Sequence, residues 1–277
     1  MNFTKMHGIG NDYIYFDCTE QTVEHPEQLA VTLSDRHKGV GGDGIVLIMK
    51  SDVADFRMRM FNADGSEGKM CGNATRCIGK YVYDRGLTDK TELTLETLSG
   101  IKHLFLTTEN GKVTSVKVDM GKAILTCPEI PVLSDRETFI NQPITALGRE
   151  WYVTCVSMGN PHAVIFYDDV ETMEIDKIGP AFENHPLFPD RINTEFVKQL
   201  SDTELLMRVY ERGSGETMAC GTGACATVAA AVLNGKCAYD TEITVKLLGG
   251  DLHIIYQKDG TVFMCGPAEF VFDGTLL

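Results

Sequence analysis

Short stretches in which apolar and polar residues alternate recur along the whole chain. In the first half these are "YIYFD", "IVLIM", "DFRMRMF", "ELTLETL", "KHLFLTT" and "VTSVKV"; in the second, "WYVTCVSM", "HAVIFY", "TELLMRVY", "EITVKLL", "DLHIIYQ" and "TVFMC". A period of two, β-branched and aromatic content, and tight polar turns between runs predict strands paired mostly antiparallel. Two stretches carry a different period. After Cys71, apolar residues fall at Ala74, Cys77, Ile78, Tyr81 and Val82; after Cys220 they fall at Ala224, Cys225, Val228, Ala229, Val232 and Leu233. This is the spacing of one helical face, and Gly86 and Gly235 supply the stops. The second helix is rich in small residues and polar on almost no side, so it is expected to be buried all round.

The two helical segments belong to an internal repeat. "RMFNADGSEGKMCGNATRC" (59 to 77) and "RVYERGSGETMACGTGAC" (208 to 225) share the order of Arg, aliphatic, aromatic, Gly-Ser, Cys-Gly and a second Cys. Arg59 to Arg208, Phe61 to Tyr210, Asn62 to Glu211 and Cys71 to Cys220 are each 149 positions apart, as are Gly10 to Gly159 and Asn11 to Asn160. An ordered series at one offset predicts two similar halves of ordinary domain size. The expected fold is α+β: two pseudo-symmetric domains, each a mainly antiparallel, barrel-like sheet wrapped around a central helix. The expected boundaries are 1–119 for the half carrying Cys71 and 120–265 for the half carrying Cys220. Pro143, Gly148 and the irregular stretch 121–150 would join them, and the final strand, 266–277 with "FVFDGTLL", would return to the first half.

Charge and cysteine content narrow the chemistry. The net charge of −14 over 277 residues repels polyanions, which argues against nucleic acid and anionic membrane surfaces while leaving small zwitterionic ligands open. No apolar run approaches the roughly 18 residues of a membrane span. "MNFTKMHGIG" lacks the apolar centre of a signal peptide, so the expected location is the cytoplasm. Nine dispersed cysteines without a Cys-x-x-Cys favour reduced thiols over a disulfide framework.

Several motifs compete for attention. "GVGGDG" (39 to 44) and "GTGACA" (221 to 226) match dinucleotide-loop strings, but the first runs into a strand and the second follows its strand by about ten residues, so neither has the βαβ context such a loop needs. Cys71 and Cys77 are six apart with no histidine close by in either half, which argues against a zinc site. A lone cysteine ordinarily just packs, and that reading holds for Cys18, Cys77, Cys127, Cys155, Cys225, Cys237 and Cys265. Cys71 and Cys220 differ, because each opens a helix after a polar turn and precedes a glycine. A helix N-terminus stabilises negative charge, which would poise these two thiols toward thiolate. In repeat-equivalent positions they would face each other across a cleft between the halves. A thiolate on one face of a carbon and a thiol on the other is what inversion of a stereocentre by proton transfer requires. Backbone N–H groups following each cysteine would bind the substrate carboxylate and stabilise carbanion-like charge.

Taken together, "MHGIGNDY", "FNADGSE", "CGN", "GNPH", "RINTEF", "ERGSGET" and "ACGTGA" resemble the diaminopimelate epimerase family along essentially the whole chain. The resemblance implies a cofactor-independent, metal-free isomerase that interconverts the LL and meso forms of 2,6-diaminoheptanedioate in lysine and peptidoglycan biosynthesis, with homodimers common among members. It implies Cys71 and Cys220 as the acid/base pair. Substrate contacts would fall on Asn11, Asn62, Gly72, Asn73, Asn160, Asn193, Glu211, Arg212, Gly221 and Thr222, with His162 and Glu211 adjusting the protonation of the cysteines. An arginine fork suits a carboxylate, and asparagines read ammonium and carboxylate groups without adding charge. Apart from the resemblance, His162 reads as a satisfied strand histidine and Asn11 and Asn160 as turn residues. "CGNAT" departs from relatives with Gly after the Asn, and Gly44 lies where some members carry a substrate-contacting glutamine, so that contact is not carried over. The alternatives are a proline or hydroxyproline racemase, whose "CGHGT" and "PCGTGT" motifs fit less well, and a thiol redox or zinc-binding protein.

Overall fold

The computed structural model describes all 277 residues, which divide into two compact units: Met1–Asp119 with Cys265–Leu277, and Met120–Met264. In chain order the elements are β1 (Asn2–Gly8), β2 (Asn11–Cys18), α1 (Pro26–Ser34), β3 (Gly44–Met49), β4 (Phe56–Asn62), β5 (Glu67–Gly68), α2 (Gly72–Asp84), β6 (Glu92–Thr97), β7 (Gly100–Glu109) and β8 (Lys112–Lys122). There follow β9 (Gln142–Ala146), β10 (Arg149–Ser157), β11 (Pro161–Phe166), α3 (Ile175–Glu183), β12 (Asn193–Gln199), β13 (Glu204–Glu211), β14 (Gly215–Glu216), α4 (Gly221–Leu233), β15 (Glu242–Leu247), β16 (Gly250–Tyr256), β17 (Thr261–Gly266) and β18 (Glu269–Thr275). No helix is long and apolar enough to cross a membrane.

Strand pairing repeats the sequence offset. In the first unit β1 pairs antiparallel with β2, β2 parallel with β3, β3 antiparallel with β4, β4 parallel with β6, and β6 antiparallel with β7. The second unit runs β10, β11, β12, β13, β15 and β16 through the same alternation of antiparallel and parallel pairs. The fold is thus α+β with two like halves, but less uniformly antiparallel than the alternation of single strands suggests. Parallel neighbours need a crossover, and the helices supply it: α1 and α3 lie between β2 and β3 and between β11 and β12, while α2 and α4 lie between β4 and β6 and between β13 and β15.

In each unit a helix is buried among strands. In α4 every residue from Gly221 to Val232 is buried except Thr222, in keeping with its small apolar composition. In α2 burial runs unbroken from Gly72 to Val82 and takes in Arg76 and Lys80, so its polar residues are covered as well. Arg76 Nε donates to the Pro267 carbonyl and Lys80 to the Val113 carbonyl, which offsets part of the cost of taking polar groups out of water. Gly79 places α2 hard against β7 and β8, since a Cβ there would lie 3.0 to 3.3 Å from Leu106, Leu104 and Val116. A second apolar cluster in the Met120–Met264 unit centres on Trp151, which meets Phe182 of α3 edge-on at 5.1 Å. Cys77 and Cys225 are wholly buried on their helices, as packing residues should be.

Candidate active site

Cys71 and Cys220 occupy the same local position: each is the extended residue that caps the N-terminus of its unit's buried helix. The surroundings of the two thiols differ.

In the first unit the Cys71 thiol donates to Asn11 Oδ1 at 3.3 Å, and Asn73 Nδ2 donates to the same oxygen at 3.2 Å. The amide of Asn11 is oriented from behind, because its Nδ2 donates to Asp43 Oδ2 at 2.7 Å and a carboxylate can only accept. Asp43 also accepts from the Asp12 N–H and from Arg36. Arg36 forks onto Asp12 at 2.7 and 3.1 Å, and Lys5 pairs with Asp12 at 2.6 Å. Burial raises the Asp12 carboxyl, but the hydrogen bonds from Arg36 and Lys5 outweigh it and hold Asp12 below its ordinary value. Asp43 goes the other way, pushed up by burial and by the neighbouring Asp12. Asn62 ends β4 and bonds Ser66 at 3.0 Å. Gly44 pairs opposite Asn62, and a Cβ on it would lie 2.0 Å from the Phe61 carbonyl oxygen, so position 44 here can bear no side chain.

In the second unit Cys220 Sγ accepts from the Gly223 N–H at 3.4 Å and lies 3.5 Å from the Thr222 hydroxyl. Despite these bonds and the helix end, the thiol is held well above its ordinary value: burial pushes hardest, the carboxylates of Glu211 and Glu195 add to it, and the Thr222 and Gly223 bonds offset only part. The expectation of a thiolate-poised Cys220 is therefore corrected in the free protein. A buried thiol near two carboxylates resists ionisation more than one helix terminus favours it.

The remaining residues of this unit are each held by bonds to near neighbours. His162 and Asn193 are register partners on the parallel strands β11 and β12. His162 Nδ1 bonds Glu195 Oε1 at 2.7 Å and Nε2 bonds Asn160 Oδ1 at 3.0 Å. A His162 ring nitrogen, a Glu195 oxygen and Cys220 Sγ all lie within 4.8 Å of one another. Asn193 donates to the Pro161 carbonyl at 2.8 Å and accepts from the Arg212 N–H at 2.9 Å. The Arg212 guanidinium is exposed and bonds the Asp190 carbonyl at 2.9 Å. Glu211 accepts from Thr217 at 2.5 Å.

Thus Asn11, Asn62, Cys71, Gly72 and Asn73 belong to one unit, and Asn160, His162, Asn193, Glu211, Arg212, Cys220, Gly221 and Thr222 to the other. Sequence reasoning missed Asp43, Arg36 and Glu195. The available signal for Glu195 is a lone acid between the apolar and β-branched residues of "NTEFV".

Two repeats of one α+β unit, each built round a buried helix, form a fold that recurs among solved structures. The chain superposes on a PhzF-family phenazine biosynthesis protein from Bacillus anthracis (TM-score 0.73, 17% identity, 100% of this chain and 99% of the other). It also superposes on a hydroxyproline epimerase from Agrobacterium vitis with bound trans-4-hydroxy-L-proline (TM-score 0.70, 14% identity, 99% of this chain and 91% of the other). Sequence narrows the class. The family model for diaminopimelate epimerase matches residues 3–126 and 154–271. A diaminopimelate epimerase from Acetivibrio thermocellus is 58% identical over 275 residues, 99% of this chain and 98% of its own length. The chain belongs to the diaminopimelate epimerase family.

Proposed function

We infer that this protein interconverts LL- and meso-2,6-diaminoheptanedioate by proton transfer at one α-carbon, with Cys71 and Cys220 as the two bases. The observation that carries the reading is the pair of repeat-equivalent helix-capping cysteines in a chain of this family. One cysteine, as thiolate, removes the α-hydrogen; the other, as thiol, delivers a proton to the opposite face, so the roles exchange in the reverse direction. No electron acceptor is needed, because the electron pair of the broken C–H bond stays on the carbon and forms the new C–H bond with the incoming proton. Arg212 binds a substrate carboxylate with its fork. The backbone N–H groups at Gly72, Asn73, Gly221 and Thr222 receive the carboxylate at the reacting centre and stabilise the charge that develops there. Asn11, Asn62, Asn160 and Asn193 read the remaining ammonium and carboxylate groups. His162 and Glu211 adjust the protonation of Cys220: the Glu211 carboxylate adds to the burial that holds the thiol protonated in the free protein, and the His162 ring is the partner that opposes it. The reaction works without metal or cofactor; the protein acts as a cytoplasmic homodimer in lysine and peptidoglycan biosynthesis.

The test is to incubate the reduced protein with LL-diaminopimelate in deuterated water. Deuterium entering one α-position together with meso product supports the reading; neither, alongside racemisation of proline, overturns it in favour of the racemase alternative. The His162, Glu195 and Cys220 donors give a zinc-binding reading its one point of support. Stoichiometric zinc in protein purified without chelator, with no exchange until it is removed, would favour that reading.

A further inference from the structure

Pseudo-symmetry fails behind the two cysteines. His162 and Glu195 stand in β11 and β12 behind Cys220, but 149 positions earlier, in β2 and β3, stand Tyr13 and Val46. Only the second unit places an ionisable pair there. Both members are completely buried, and their 2.7 Å bond joins a ring nitrogen to a carboxylate oxygen.

We propose that Glu195 is a positioning residue that holds His162 with both ring nitrogens protonated beside Cys220, so that an imidazolium stands ready to balance the Cys220 thiolate. The proposal rests on the reading of Cys220 as an acid/base group.

Three observations support it. First, both ring nitrogens face acceptors: Glu195 Oε1 at Nδ1 and Asn160 Oδ1 at Nε2. A neutral imidazole has one N–H and satisfies only one such partner as donor. Second, the 2.7 Å contact between His162 Nδ1 and Glu195 Oε1 is a hydrogen bond only if one of the two atoms carries a proton. Were Glu195 protonated on Oε2 instead, that proton would find no acceptor, because Oε2 is buried without a hydrogen-bond partner. Third, the site supplies no other buried cation. The groups acting on Cys220 are Glu195 from β12 and Glu211 from β13, with the Thr222 and Gly223 donors of α4; buried Cys155 of β10 also feels Glu195. With two carboxylates nearby, an unprotonated His162 would leave a Cys220 thiolate facing only negative charge and the helix end. Glu195 Oε1 and Cys220 Sγ both border Gly223, where a Cβ would lie 2.7 Å from the first and 3.2 Å from the second.

The test uses the reduced full-length protein with 15N-labelled histidine, the His162 signals being assigned by their loss in His162→Gln. At neutral pH the wild-type ring should show two protonated nitrogens, and in Glu195→Gln it should revert to one. In the deuterium-exchange assay, Glu195→Gln should lower kcat by at least about tenfold with KM changed less than about threefold, and should displace the pH profile of kcat/KM; Glu195→Asp should recover part of the rate. A singly protonated ring in the wild type overturns the proposal, as does a Glu195→Gln enzyme with unaltered kcat and pH profile. If Glu195→Gln does not fold, the wild-type ring spectrum decides alone. If the wild type shows no epimerisation, the proposed function fails, while the ring spectra and the pH dependence of Cys220 alkylation by iodoacetamide, read by peptide mass, still decide the charge state.

Discussion

Gly223→Ala gives a sharp separation between folding and chemistry. Gly223 sits in the first turn of α4 with Glu195 Oε1 and Cys220 Sγ on either side of where a methyl would go, at 2.7 and 3.2 Å. Ordinary contact begins near 3.4 Å, so the Glu195 oxygen must retreat by about 0.7 Å. A retreat of that size along the bond to His162 would take it from 2.7 Å past normal hydrogen-bond length. Losing a hydrogen bond to a charged group costs about 1.5–3 kcal/mol, and replacing Gly by Ala inside a helix returns about 1 kcal/mol. The net loss of about 0.5–2 kcal/mol corresponds to only a few degrees in Tm for a protein of this size. Catalysis should suffer far more, because a misplacement of about 1 Å in the groups that position the reacting atoms costs roughly 100-fold. The assay pairs a thermal melt with deuterium incorporation from LL-diaminopimelate. A variant that melts within a few degrees of wild type yet loses roughly 100-fold in kcat supports the argument. Wild-type kcat in a folded Gly223→Ala would refute it, for then the Cys220, Glu195 and His162 geometry would not matter to the reaction.

Three further outcomes follow from the geometry. Cys71→Ala and Cys220→Ala should each abolish epimerisation while the circular dichroism spectrum and melt stay near wild type; full activity in either would sink the two-base mechanism. Asp43→Ala removes the acceptor that orients the Asn11 amide, and should lower kcat roughly tenfold or more with little change in melt; unchanged kcat would mean that Cys71 does not depend on Asn11. The third concerns alkaline pH. Burial pushes Cys77 from 9.0 to about 12 and Cys18, more modestly covered, to about 11, and both stay protonated in the fold where the unfolded chain would ionise. The native state then binds more protons than the unfolded one, so stability is undiminished below pH 9 and falls as pH rises toward 11 and 12. The slope is at most about 1.4 kcal/mol per pH unit per thiol. Urea unfolding at pH 8 and pH 10.5 measures it, and Cys77→Ala should flatten the slope; an identical slope in that variant would refute the assignment.

What the sequence disclosed depended on whether a residue's meaning was local. Half-buried strands such as Glu242–Leu247, with one face covered and one open, announce themselves by alternation. In β12 the five residues Asn193–Val197 are all buried, and three of them, Asn193, Thr194 and Glu195, are polar; Asn193 and Glu195 find their partners, the Pro161 carbonyl and His162, on β11. Such a strand shows neither alternation nor an apolar run. The same holds for β1, where buried Thr4 and Lys5 find Asp273 of β18 and Asp12 of β2. The helices α1 and α3 are nine residues each, and α3 carries Pro180 in its interior, so neither presents a long clean period. The capping positions of Cys71 and Cys220 were legible because a repeat and two helix starts are properties of the chain itself. Glu195 and Asp43 were not, because each acquires its place by meeting a residue from another strand: His162 in one case, Asn11 in the other.

The pairing of β1 with β18 sets an order of events on the ribosome. Asn2 bonds opposite Thr275, and His7 opposite Glu269, so a strand made first waits for one made more than 260 residues later. Until then β1 holds β2 along one side and presents open backbone N–H and C=O groups along the other. Such an edge is a template for any extended segment that passes, and closing so long a loop is slow compared with local folding. The Met120–Met264 unit has all its own strands in hand by then. The nascent protein therefore carries one finished half and one unfinished half, and the interval before β18 arrives is when it is most open to mispairing with its neighbours.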